Sequence, residues 1–283
     1  MDVPIFRERE YLRVNLDEQR DESLWMQCKS CGELVFKRRV RENNNICPGC
    51  GEYFFLTATE RFESLIDEGS FVDISRPIVA DDPLGFEDSK PYAKRLEEAQ
   101  ERTGLASAIV IAAATITEIP VVMGVMDFRF IGGSMGSVIG EQICHGMEQA
   151  IERRCPFVLV SSSGGARIQE GLFSLLQMAK TSAVRTRLAA ERLPFVSIMT
   201  YPTTGGVQAS IASLGDIILA EKGAMIGFAG RRVIQNTIAE ELPSNYQTDM
   251  FALEHGLIDR VAGRERLREE LAEVLSYFRD ADE

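Results

Sequence analysis

Three times between residues 121 and 214 the sequence repeats one pattern: an apolar, β-rich run, a Gly-Gly pair, then a stretch with helical spacing. VVMGVMDFRF (121–130) leads to Gly132-Gly133 and a helix from about Gly136 to Arg153. FVLVS (157–161) leads to Gly164-Gly165 and a helix from about Arg167 to Arg192. FVSIMT (195–200) leads to Gly205-Gly206 and a helix from about Val207 to Leu214. A further strand is expected at 217–220, and 224–228 leads through Ala229-Gly230 to a short helix beginning near Arg231. Repeated strand–turn–helix units predict the α/β class.

The Gly pairs have a chemical reading. Glycine reaches positive φ and carries no side chain to block an approaching ligand. The next amides belong to a helix N-terminus and lack intrahelical partners. Such a turn can hold a developing negative charge with main chain alone, as an oxyanion hole does. Three in one domain favour anion or enolate stabilisation over ordinary turns. A P-loop signature and a G-x-G-x-x-G fingerprint are both absent. Ser161, Ser162 and Ser163 precede Gly164, but no G-x-S-x-G elbow surrounds them. The chain has only two His, His145 within a helix and His255 at a helix C-terminus, so triad chemistry has little to draw on.

The six Cys divide by spacing. Cys28, Cys31, Cys47 and Cys50 form C-x2-C-x15-C-x2-C, which is zinc-ribbon spacing. Four thiolates predict a closed, structural Zn2+ site, with Gly32 and Gly51 letting backbone N–H groups approach the sulfurs. A strand over 33–40, a turn at Asn43-Asn44-Asn45 and a return strand at 53–55 are expected to make the hairpin. Cys144 and Cys155 read as core residues. Residues 25–56 hold five basic and three acidic side chains, a mild basic patch that could suit a nucleic-acid-binding module. The whole chain argues against that class: 31 Lys+Arg against 43 Asp+Glu leave a charge of -12. No run reaches the roughly 20 apolar residues of a membrane span. With no apolar signal core at 1–10, a reducing cytoplasm is the expected location.

Residues 1–24 read as an N-terminal arm, 25–56 as the ribbon, 57–104 as a helical connector, 105–263 as the main domain and 264–283 as a C-terminal helix. Within the connector, 61–68 and 92–102 have helical spacing and 71–78 reads as extended.

Long motifs in a fixed order now identify a family. They are the ribbon cysteines, FIGGSMGSVIGE (130–141), SSGGARIQEG (162–171), LLQMAKTSA (175–183), PTTGGVQAS (202–210) and IGFAGRRVI (226–234). From about Trp25 to Val261 the chain resembles the carboxyltransferase β subunits of bacterial acetyl-CoA carboxylase. The resemblance implies a crotonase-like spiral of ββα units carrying a separate four-cysteine zinc ribbon. It implies transfer of a carboxyl group from carboxybiotin on a carrier protein to acetyl-CoA, giving malonyl-CoA for fatty-acid synthesis. The implied partners are a carboxyltransferase α subunit in an α2β2 assembly, a biotin carboxyl carrier protein and a biotin carboxylase. Gly164, Gly165, Gly205 and Gly206 are the expected oxyanion donors. Gly132, Gly133, Ser134, Met135 and Gly136 would shape the CoA channel. Arg167, Arg231 and Arg232 are candidates for CoA phosphate or carboxylate contacts. A stand-alone hydratase or isomerase would instead need carboxylates at the holes, for which Glu141 and Glu170 are the candidates. Tyr201, Lys222 and the His145-Gly146 pair depart from the family's usual residues, which leaves room for a pathway-dedicated paralogue.

Overall fold

The computed structural model describes residues 24–230, 234, 235, 237 and 241–279. The chain divides after Phe54 into two compact units. In the first, β1 (Trp25–Gln27) pairs antiparallel with β2 (Leu34–Phe36), and α1 (Lys37–Glu42) follows at once. The strand expected over 33–40 therefore stops at Phe36. The basic run that follows is a helical turn, braced by Arg38 on Glu42 at 2.8 Å, with Val40 turned inward. The hairpin partner of β2 precedes it instead of following it, and Tyr53 pairs with Ile46 as an isolated bridge, outside any strand. Asn44 and Asn45 take the turn with φ of 52° and 55°, a region asparagine tolerates. The buried core here is Cys28, Val35, Val40 and Cys47, too little apolar surface to hold a fold without a cross-link.

The second unit opens on α2 (Ala58–Leu65), started by a capping box between Thr57 and Glu60. Then come β3 (Val72–Asp73), α3 (Tyr92–Thr103), the hairpin β4 (Ile109–Ile116) and β5 (Ile119–Met126), and α4 (Ser137–Arg153). β6 (Phe157–Ser163), α5 (Leu172–Ala190), β7 (Phe195–Thr204) and α6 (Gly205–Gln208) follow. The chain continues through β8 (Ile217–Glu221), β9 (Ile226–Gly227), α7 (Asp249–Glu254), β10 (Arg260–Ala262) and α8 (Leu267–Arg279). The strand order is β10-β8-β7-β6-β5-β4-β3, with β9 pairing on β7. β3, β4 and β5 are antiparallel, while β5, β6, β7, β8 and β10 run parallel.

Two apolar cores lie on opposite faces of this sheet, and β6 shows why its sequence is a continuous apolar run. Phe157 and Leu159 join Ile139, Ile143 and Met147 of α4 on one side. Val158 and Val160 join Phe62 of α2 and Leu271 and Val274 of α8 on the other. A parallel strand covered on both faces loses its polar alternation. Helix α2 of the connector and the C-terminal helix thus supply one wall of the same unit, while α3 of the connector packs on the other face.

Some boundaries differ from expectation. The second helix starts at Leu172 because Gly171, at φ 51°, separates it from a 3-10 turn over Ile168–Glu170. The third is only Gly205–Gln208, followed by a 3-10 turn at Ile211–Ser213. The helix expected near Arg231 falls largely outside the described residues. Among the described residues no helix is long and apolar enough to cross a membrane.

Candidate functional site

The three glycine turns leave the C-terminal ends of β5, β6 and β7, three adjacent parallel strands. That edge is where open α/β sheets place ligands. The turns are laced together by backbone. Gly164 N–H donates to Gly132 O at 2.9 Å, Met135 N–H to Gly165 O at 2.8 Å, and Arg167 N–H to Met135 O at 2.9 Å. A Cβ on Gly133 would run into the Ser162 carbonyl. The second and third turns touch through backbone: a Cβ on Gly205 would lie 3.0 Å from Gly165 Cα, and both glycines hold positive φ, 58° and 115°. Only glycine at both positions permits this approach.

This lacing decides which amides remain for chemistry. Gly164 N–H is spent on Gly132 O, and Gly165 N–H on Ser163 Oγ at 3.0 Å. Gly205 N–H is spent on Phe228 O at 3.1 Å. Three of the four glycines expected as donors therefore use their amides inside the fold. Gly206, a buried residue, is the exception: its N–H has no acceptor among the described residues. Sequence reasoning missed its neighbour, Ala166. Gly165 O and Arg167 N both bond to Met135, so the intervening Ala166 N–H faces away from that bridge and is equally without an acceptor among the described residues. A Cβ on Gly206 would lie 3.4 Å from Ala166 N, and one on Gly165 3.2 Å from Gly206 N, so the two free amides are neighbours. Two neutral donors this close can stabilise an oxyanion that both reach.

The other expected site residues are placed as follows. Met135 is fully buried, and Gly136 packs so tightly on the Glu170 carboxylate that a Cβ there would collide with it. Both shape the loop and line no channel. Gly132 and Ser134 are half-buried at its rim. Arg167 corrects the sequence reading. It is 1% exposed, with its donors committed to Ser134 O (2.8 Å), Ser134 Oγ (3.1 Å) and Tyr92 Oη (3.0 Å). Its cation also stacks over Phe130 at 5.7 Å, so no phosphate reaches it. Arg231 and Arg232 lie outside the described residues. Glu170 is buried against Tyr92, and Glu141 is paired with Arg76 and Lys180. Neither carboxylate is placed for acid–base work. Ser163 Oγ donates to Gly133 O and Ser162 Oγ to Tyr201 O, and neither meets a histidine. Burial pushes the Cys144 and Cys155 thiols up to about 11, as suits packing residues. Tyr201 is half-exposed beside Phe55, which stacks on Phe128 at 5.2 Å.

In the ribbon the four sulfurs lie within 4.8 Å of one another, with Cys28–Cys50 at 3.7 Å and Cys31–Cys47 at 3.9 Å. Tetrahedral Zn–S bonds of about 2.3 Å require sulfurs about 3.8 Å apart, so the set fits one zinc ion. The two knuckles are built alike. Cys28 N–H donates to Glu33 O and Gly32 N–H to Cys28 O, while Cys47 N–H donates to Glu52 O and Gly51 N–H to Cys47 O.

Residues 55–283 match the carboxyl transferase domain, and residues 25–50 match the acetyl-CoA carboxylase zinc finger domain. The chain belongs to the carboxyl transferase family. Among members of this carboxyl transferase family, it is 50% identical over 257 residues to the acetyl-coenzyme A carboxylase carboxyl transferase subunit beta of Thermus thermophilus, covering 90% of this chain and 89% of that one. The same subunit of Carboxydothermus hydrogenoformans is 46% identical over 275 residues, covering 96% and 97%. The solved transcarboxylase 12S, a hexamer with methylmalonyl-coenzyme A bound, superposes with a TM-score of 0.64 at 27% identity. That match covers 84% of this chain and 43% of the transcarboxylase chain. A Pseudomonas malonate decarboxylase hetero-tetramer gives 0.61 at 26% identity, covering 79% and 82%. The crotonase-like architecture implied by the resemblance is thus the fold of this carboxyl transferase.

Proposed function

We propose that the chain is the carboxyltransferase β subunit of a cytoplasmic acetyl-CoA carboxylase, moving a carboxyl group from carboxybiotin to acetyl-CoA. The observation that carries this reading is the adjacent pair of Ala166 and Gly206 amides between two glycine turns, neither with an acceptor among the described residues. The reaction needs charge stabilisation rather than a protein nucleophile. The N–carboxyl bond of carboxybiotin breaks to give CO2 and a ureido anion. That anion takes a proton from the acetyl methyl, and the enolate carbon forms its new bond to CO2. Malonyl-CoA and neutral biotin result. Two oxygens, the thioester oxygen and the ureido oxygen, carry the developing charge. Ala166 and Gly206 serve one of them, and Gly132 and Ser134 border the CoA arm.

The second hole falls to a partner, the α subunit of the implied α2β2 assembly, with the biotin carrier and biotin carboxylase completing the enzyme. Helix α5 supports such a partner. Over its first half the buried residues are Ser174, Gln177 and Thr181, bonded largely to carbonyls of their own turn, while Met178, Val184 and Leu188 pack on the core. Its outer face is apolar: Ile168 just before it is 77% exposed, Leu172 67% and Leu176 52%. An exposed apolar patch at the start of a helix is built to be covered. The test is to co-express the chain with an α subunit and measure malonyl-CoA formation from carboxybiotin. A folded complex that transfers to no acyl-CoA would refute the assignment.

A further inference from the structure

Between the first and second glycine turns lies a buried polar group that the transfer chemistry does not use. Tyr92, the first residue of α3, is fully buried, as are Arg167 and Glu170. The Tyr92 hydroxyl donates to Glu170 Oε1 at 2.7 Å and accepts from Arg167 Nη1 at 3.0 Å. Each partner then reaches the first turn. Arg167 holds Ser134 through its carbonyl and its hydroxyl, and Glu170 Oε2 accepts the Ser137 N–H at 2.6 Å, where α4 begins. Without the hydroxyl, Arg167 Nη1 keeps only Glu170 Oε1, at a stretched 3.4 Å. We propose that Tyr92 is a positioning residue, whose hydroxyl ties Arg167 to Glu170, fixes the first glycine turn against the second, and so aims the Ala166 amide.

The line of action is short. Ala166 is bonded covalently to Arg167, and its peptide is clamped on both sides by Met135, which follows Ser134. A shift of the Arg167 head displaces Ser134 and Met135, and with them the direction of the Ala166 N–H. Burial raises the Tyr92 hydroxyl well above its ordinary value, so it remains a donor to the Glu170 carboxylate at any working pH. The residue sits 74 positions before Ala166, in a segment that no motif of the site includes. The inference rests on reading the Ala166 amide as an oxyanion donor.

Tyr92→Phe in the full chain, assembled with its partner subunit, tests it. The ring stays in its packing and only the hydroxyl goes. We expect kcat to fall about tenfold to a hundredfold, as for a misplaced catalytic group, with KM for acetyl-CoA within about twofold. A second readout needs no turnover. Pairwise labelling of glycine carbonyl carbon and alanine nitrogen singles out Gly165-Ala166, with Gly223-Ala224 as the control pair. The Ala166 amide resonance should move in the variant and that of Ala224 should not. An unmoved Ala166 resonance overturns the proposal, and so does a kcat within twofold of the parent. If the parent complex transfers no carboxyl group, the proposed function fails. The resonance then judges the positioning by itself.

Discussion

Substituting the two adjacent glycines of the third turn separates chemistry from folding. A methyl on Gly206 would lie 3.2 Å from Met178 Sδ and Ala166 Cβ, and 3.4 Å from Ala166 N. The thioether can shift by a few tenths of an ångström, and Gly206 carries no positive φ. Gly206→Ala should therefore cost about 1–3 kcal/mol of stability, the usual range for one added methyl in close packing. The same methyl sits against the amide that has to receive the oxygen. Loss of one such donor costs about 2.7–4 kcal/mol of transition-state stabilisation, about 10²–10³-fold in kcat. Gly205→Ala is the contrasting case. Its methyl meets backbone at 3.0 Å and its φ is 58°, so the turn has to open or the chain is strained. The left-handed conformation alone costs about 1–2 kcal/mol, and the backbone collision adds to it. Thermal melts of the free chain and steady-state kinetics of the assembled enzyme give both numbers. A folded Gly206→Ala complex with kcat near the parent's would refute the assignment of these amides, because the donor would have been obstructed without consequence.

Further expectations follow from other parts of the fold. Glu221 is buried between Arg61 at 2.7 Å and Arg264 at 2.9 Å. Burial alone would raise its carboxyl, but the two arginines outweigh that and lower it from 4.5 to about 2. Its contribution, about 3 kcal/mol, is fully present above the unfolded value and is lost as pH falls through the folded one. Glu221→Gln should cost about 3–5 kcal/mol at neutral pH by leaving two buried cations undercompensated. The gap to the parent in thermal melts should close between about pH 5 and pH 2. In the ribbon, Cys50→Ser or a strong chelator should remove about one zinc per chain by elemental analysis. The amide dispersion of residues 25–50 should collapse with it, since apolar burial there is too small to hold the unit. Replacing Leu172 and Leu176 with Asp should abolish co-purification with the α subunit with little change in the melting temperature of the free chain, because both side chains are already more than half exposed.

The strands, the turns and the ribbon ligands were legible in the sequence because each depends on local chemistry. Period-2 and continuous apolar runs, Gly-Gly pairs and cysteine spacing survive without knowledge of the fold. The ribbon hairpin misled for the opposite reason. Residues 33–40 alternate well enough for a strand, but the partner of Leu34–Phe36 lies upstream, and KRRVRE is long enough for one helical turn. The site shows the deeper limit. A Gly-Gly pair announces a turn whose amides could be free, yet freedom is settled by where carbonyls from distant parts of the chain fall. Gly132 O takes the Gly164 amide and Phe228 O takes that of Gly205. What remains is Gly206 and a residue with no special signature, Ala166. Arg167 failed as a ligand contact by the same logic. Arginine beside a glycine turn suggests phosphate, but this one has a tyrosine from position 92 and a glutamate three residues on already waiting for it. The residues that position a main-chain site are thus harder to read than the site itself. Their partners are distant in sequence, and their side chains carry the wrong label: a buried charge that looks like a binding group.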